Sequence, residues 1–176
     1  MTKIIPSALT LANLLFGFLA ILFTFKFELL PVILLILLGM LCDFFDGYCA
    51  RKLNAASEMG KELDSLADLV TFCIAPAALV YVVSLHEIRI FGAVCCLAYV
   101  CCGALRLARF NAAQSHLSGF VGMPTPLAAI MVLAITALLP PLGSGIGLLV
   151  IGMLMVSRFS FPSLKKLKAE VPAEEY

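Results

Sequence analysis

Six apolar runs, at about 8–25, 29–50, 63–84, 90–110, 124–140 and 144–161, alternate along the chain with short breaks that are polar or rich in Gly and Pro. Each run approaches the ~20 mainly apolar residues that a helix needs to cross a bilayer core. Backbone buried in lipid must satisfy its own polar groups, so runs of this length predict an all-α membrane protein. We expect a bundle of about six transmembrane helices forming a single domain over 1–176. The breaks fall at 25–28, 53–60, 86–89, 111–126 and 140–145. Pro31 lies where a helix start tolerates proline, whereas Pro76 lies inside a run and predicts a kink. Pro140 and Pro141, followed by Gly143 and Gly145, predict a tight turn on the outer side.

Composition agrees with the pattern and narrows it. The 176 residues are 62% hydrophobic and only 13% charged, with a mean hydropathy of +1.09. Little soluble mass remains, and membrane lipid, not nucleic acid, is the expected surrounding partner. The first run follows Lys3 with no small-residue cleavage site to close it, so a retained first helix is expected in place of a removed signal peptide. With the N-terminus inside, ten Lys and Arg residues face inward (Lys3, Arg51, Lys52, Lys61, Arg106, Arg109, Arg158, Lys165, Lys166, Lys168) and two, Lys26 and Arg89, face outward. That imbalance predicts both termini, and the site near them, on the cytoplasmic side of the cell membrane. The seven cysteines lie mostly in apolar runs without zinc-type spacing, and read as small packing residues.

One polar stretch does not fit a simple connector. All four aspartates of the chain lie in DFFDGYCARKLNAASEMGKELDSLAD, residues 43–68. Asp43 and Asp46 are three apart at the end of the second run, and Asp64 and Asp68 are four apart at the start of the third, so each pair shares a helix face. A short turn between the helices directs all four carboxylates toward one point near the inner surface. Unpaired, they would repel and be costly to desolvate, so something positive must hold them. Arg51, Lys52 and Lys61 are the nearby cations, and an ion-pair network is one reading. A cage of short carboxylates for Mg²⁺ or Mn²⁺ is the better one.

The spacing adds specificity. Asp43-x-x-Asp46-Gly47-x-x-Ala50-Arg51, then eight residues, then Gly60-x-x-x-Asp64-x-x-x-Asp68, resembles the CDP-alcohol phosphotransferase signature at every defined position. The resemblance implies six membrane helices, an inward-facing site, two divalent ions, and transfer of a phosphate-bearing lipid group from a CDP-linked donor to an alcohol with release of CMP. It implies Asp43, Asp46, Asp64 and Asp68 as metal ligands, with Asp68 also the general base. It assigns Asp43, Gly47, Ala50, Arg51 and Gly60 to the CDP donor. Homodimerisation is implied by the resemblance alone.

For the acceptor, the segments PSALTLAN (with Pro6, Thr10 and Asn13), ALRLARFNAAQ and GFVGMPTPLAA look like those of the bacterial and archaeal membrane-integral branch that uses L-serine with CDP-diacylglycerol. Arg106 and Arg109 are three apart, on one face of a helix ending at the inner surface, and paired guanidinium groups suit one carboxylate. Asn111 and Gln114 add neutral hydrogen-bonding capacity. The expected serine site is therefore Arg106, Arg109 and Asn111. Two alternatives stay open: another acceptor, glycerol 3-phosphate or an inositol phosphate, or a small cation transporter. A transporter should carry acids near the membrane centre and often internal repeats, and neither is visible in the sequence.

Overall fold

The computed structural model describes residues 4–53, 57–113 and 122–157. They form α1 (Ile4–Thr24), α2 (Leu29–Lys52), α3 (Glu58–Asp68), α4 (Ala75–Val80), α5 (Arg89–Ala113), α6 (Thr125–Leu138) and α7 (Pro141–Val156), with no strand among the described residues. Gln114, Arg158 and the basic tail Lys165, Lys166 and Lys168 lie outside the described residues, as does Lys3.

Three stretches are long and apolar enough to span a membrane: Pro6–Thr24, Leu29–Lys52 and the continuous helical stretch Glu58–Ala112. The third is a hairpin of two segments. Ser65 bonds Asn111, Phe72 bonds Tyr99 and Ala77 bonds Cys96, and each pairing brackets the 3₁₀ turn His86–Ile88 almost symmetrically. That turn coincides with the predicted break at 86–89. At 14 and 16 residues, α6 and α7 fall short of the ~20 residues of a full crossing, so six complete spans do not follow from the lengths. The protein is nonetheless an all-α integral membrane protein. Large apolar side chains such as Leu15, Leu30, Leu105, Leu138 and Met153 are exposed along its flanks, where lipid is the solvent.

Segment 58–85 runs through the middle of the bundle. On one side Ala75 and Leu79 pack with Ala20 of α1 and with Val32 and Ile36 of α2. On the other, Cys73, Ala77, Val80 and Leu85 pack with Cys95 and Tyr99 of α5, with Ala128 and Val132 of α6, and with Leu148, Ile151 and Met155 of α7. Thr71 reaches the gap between α1 and α2, donating to the Asn13 carbonyl at 3.0 Å. Gly17 and Gly39 make that gap possible: a Cβ on Gly39 would lie 2.6 Å from Thr71 Cγ2, and one on Gly17 2.8 Å from Thr71 Cα.

Around Pro76 the segment departs from α-helical geometry. The turn before it, Leu69–Ile74, is π-helical, and Pro76 sits in the first turn of α4. Proline cannot donate to the carbonyl of Phe72, four residues back, and its ring crowds that oxygen. The Phe72 carbonyl accepts from Tyr99 Oη at 3.0 Å, and Tyr99 is fully buried. A neighbouring helix thus bonds a carbonyl of the turn that the proline interrupts.

The predicted outer turn at 140–145 is shorter than expected. The chain turns at Leu139 and Pro140, and Pro141 opens α7, which absorbs Gly143 and Gly145 as helical residues. Proline's fixed φ suits the first helical position. Gly145 is needed for packing, since a Cβ there would meet the Phe91 ring.

Candidate active site

The site forms where the C-terminal end of α2 meets α3. Ser57 begins α3 in extended conformation, and its Oγ accepts from Gly60 N at 3.0 Å, a side-chain N-cap. Gly60 thus lies in the first turn, where a Cβ would sit 3.0 Å from Ser57 Oγ. Capping fixes the helix start, and from it Asp64 and Asp68 fall one turn apart on the face toward α2.

Asp43, Asp64 and Asp68 each place a carboxylate oxygen such that all three lie within 4.8 Å of one another. Asp64 Oδ1 is buried and has no hydrogen-bond partner. A buried, unpartnered carboxylate oxygen beside two others is unfavourable unless a cation completes the set, and an all-oxygen donor set suits a hard divalent ion. The residues therefore fit a divalent metal. Asp46, the fourth aspartate, lies outside this triad. It is buried, and its Oδ2 accepts from Thr10 Oγ1 at 2.7 Å.

Asp68 is held from two sides. Asn13 Nδ2 donates to Oδ1 at 3.3 Å, and Thr125 Oγ1 donates to Oδ2 at 3.5 Å. Arg106 Nη1 in turn donates to Thr125 Oγ1 at 3.1 Å. Beside these residues lies a cavity of about 210 Å³ lined by Asp64, Asp68, Lys61, Ser65, Arg106 and Asn111, and closed by Phe110, Pro124, Thr125 and Pro126. It is smaller than the ~300–1,000 Å³ pockets that hold drug-sized ligands. Arg106 Nε is buried there without a partner.

Of the three residues expected at the acceptor, Arg106 and Asn111 line the cavity, and Asn111 also accepts from Ser65 Oγ at 3.2 Å. Arg109 is exposed, and its Nη1 donates to the Val156 carbonyl at 2.8 Å, capping the end of α7. Helical geometry explains the separation. At ~100° per residue, Arg106, Leu107, Phe110 and Asn111 form one stripe, and Arg109 points about 130° from its centre. Of the residues expected at the donor, Gly47 and Arg51 are adjacent: the exposed guanidinium lies over Gly47, 3.5 Å from where its Cβ would be. Ala50 is half-buried on the same helix end.

Sequence reasoning missed Lys61 and Ser65 as cavity residues, although Lys61, Asp64, Ser65 and Asp68 fall at i, i+3, i+4 and i+7, one helical face. It also missed Thr125, whose role depends on α6 meeting α5, which no local pattern encodes.

These features match what comparison with known proteins finds. The profile of the CDP-alcohol phosphatidyltransferase family matches residues 3–158. The CDP-diacylglycerol–serine O-phosphatidyltransferase of Bacillus subtilis is 45% identical over 166 residues, 94% of each chain. The protein of the same name in Methanocaldococcus jannaschii is 36% identical over 159 residues, covering 90% of this chain and 73% of its own. Archaetidylserine synthase of Methanothermobacter thermautotrophicus is 31% identical over 169 residues, covering 94% and 72% respectively. With its signature aspartates gathered at one end of a helical membrane bundle and the profile matched over nearly its whole described length, the chain belongs to the CDP-alcohol phosphatidyltransferase family.

Proposed function

We propose that this enzyme transfers the phosphatidyl group of CDP-diacylglycerol to the hydroxyl of L-serine, giving phosphatidylserine and CMP. The observation that carries the acceptor is the small cavity lined by both Asp68 and Arg106. A ligand there must be small, must bring an anionic acceptor group to the guanidinium, and must present a hydroxyl to a carboxylate. Serine meets all three conditions, and the serine transferases among the relatives support the same choice.

The family is one of divalent-metal enzymes. In this reading Asp43, Asp46, Asp64 and Asp68 hold two ions, Mg²⁺ or Mn²⁺. When bound, such ions neutralise the pyrophosphate and its leaving group and make the acceptor hydroxyl more acidic. Gly47, Ala50, Arg51 and Gly60 receive the CDP moiety: the glycines permit close approach, and Arg51 turns its fork from Gly47 to the phosphates. Asp68 accepts the serine hydroxyl proton as the serine oxygen bonds to the phosphatidyl phosphorus. The phosphorus–oxygen bond to CMP breaks, and CMP departs with the electron pair. Arg106 and Asn111 bind the acceptor, and Arg109 supports the site from the end of α7. The Lys and Arg distribution supports a cytoplasmic site in the cell membrane, and the family resemblance supports a homodimer.

The test is CMP release from CDP-diacylglycerol with serine, glycerol 3-phosphate and an inositol phosphate in turn, then serine titrations of Arg106→Lys and Arg109→Lys. Serine is expected to be the acceptor. A charge-assisted bond contributes ~1.5–3 kcal/mol, so Arg106→Lys should raise the serine KM about tenfold or more, and Arg109→Lys much less. Turnover with glycerol 3-phosphate but not serine would overturn the acceptor assignment.

A further inference from the structure

Thr125 is 1% exposed and occupies the first position of α6. Threonines within the helices commonly turn back on their own backbone, as Thr24 does to Ala20 and Thr136 to Val132. At the head of its helix Thr125 is directed elsewhere. A guanidinium can only donate, so the bond from Arg106 Nη1 uses an acceptor lone pair of Oγ1 and leaves the single hydroxyl proton for Asp68 Oδ2. The hydroxyl is thus oriented by Arg106 and points at Asp68. Asn13, fully buried on α1, engages the other carboxylate oxygen.

We infer that Thr125 is a positioning residue that sets the spacing between the acceptor-binding arginine and Asp68. In direct contact, Arg106 and Asp68 would form a bidentate ion pair. Such a pair would occupy the oxygens that Asp68 needs for metal and proton, and would withdraw the guanidinium from the cavity. The interposed hydroxyl keeps the two charged groups one atom apart, with Asp68 held by the neutral donors Asn13 and Thr125 among the described residues and Arg106 still lining the cavity. This rests on the reading of Arg106 as the acceptor's partner.

The experiment compares Thr125→Val, Thr125→Ala and Thr125→Ser in detergent-purified full chain. Wild-type acceptor use is measured first, so failure of the serine assignment is seen before any variant is made, and the titrations then use whichever acceptor supports turnover. Mn²⁺ binding without substrates, followed by electron paramagnetic resonance, should weaken about tenfold in Val and Ala, within the range for losing an outer-shell partner of a metal ligand. The acceptor KM should rise at least tenfold and kcat fall tenfold or more, with the KM for CDP-diacylglycerol changing less than threefold. Thr125→Ser, which keeps the hydroxyl, should stay within threefold of wild type in every measurement. If one hydroxyl-free variant fails to fold, the other and Ser decide. Wild-type Mn²⁺ affinity and acceptor KM in either folded hydroxyl-free variant would overturn the inference, as would impairment of Ser equal to theirs.

Discussion

Tyr99→Phe removes one oxygen and leaves the ring in its fully buried place, so its effect isolates one hydrogen bond. The partner is the Phe72 carbonyl at 3.0 Å, the oxygen to which residue 76 would donate in α-helical register were it not proline. An unsatisfied buried carbonyl costs ~1–3 kcal/mol in general. Interhelical bonds inside membranes average ~0.6 and reach ~1.7 kcal/mol. Here the proline denies the oxygen its usual alternative, so the upper part of the membrane range applies, about 1.5 kcal/mol. The control is Pro76→Ala, which restores a backbone N–H one turn after Phe72. In that background Tyr99→Phe should cost about 0.5 kcal/mol, a coupling of about 1 kcal/mol, well above the ~0.3–0.5 kcal/mol scatter of independent sites. The assay is reversible SDS unfolding in mixed micelles for wild type, both single variants and the double variant, followed by far-ultraviolet circular dichroism. Equal losses in the two backgrounds would refute the idea that the tyrosine replaces the donor the proline lacks.

Two further substitutions probe the acidic cluster. Asp64→Asn should weaken Mn²⁺ binding by orders of magnitude and abolish turnover while the protein still inserts; in EDTA the variant should be at least as stable as wild type, because a buried unpartnered carboxylate next to two others has been neutralised. Unchanged Mn²⁺ affinity, or full wild-type activity in EDTA, would contradict the metal assignment. Asp68→Asn should keep measurable CDP-diacylglycerol binding while losing transfer, because the donor complex forms without a proton acceptor; donor binding lost as completely as in Asp43→Asn would make Asp68 a ligand only.

The membrane class and helix positions were legible because lipid imposes them locally. Every run had to be apolar and helical by itself, and the observed ends of α2 and the 86–88 turn lie within a few residues of the sequence breaks. The aspartates were legible for a related reason: acids in such surroundings are rare and their i, i+3 and i, i+4 spacing projects them together. What could not be read was pairing between distant helices. Tyr99 from α5 bonds the π-helical turn before Pro76, and Thr71 from the central segment fills the close passage at Gly17 and Gly39. Arg106 and Arg109 were read as one pair from their spacing; helical rotation leaves only Arg106 on the cavity stripe, and the position of α7, which spacing does not encode, gives Arg109 the Val156 carbonyl to cap.

The identity of the groups supporting the carboxylates carries a physical lesson of its own. Charge arithmetic along the chain offers Arg51, Lys52 and Lys61 as partners for an ion-pair network with the four aspartates, the alternative to a metal cage. In the structure Arg51 lies over Gly47, Lys52 Nζ sits 5.7 Å from the centre of the Tyr48 ring, and Lys61 lines the cavity. The side chains bonded to Asp46 and Asp68 are neutral: Thr10, Asn13 and Thr125. A lysine or arginine in their place would stabilise the apo cluster by cancelling its charge, and would then compete with any metal for the same oxygens. Hydroxyl and amide donors fix the direction of a carboxylate and leave its charge uncancelled. A site that must bind a cation from solution therefore favours uncharged supports, even though they leave the empty cluster less stable, and such supports do not announce themselves in a count of charges.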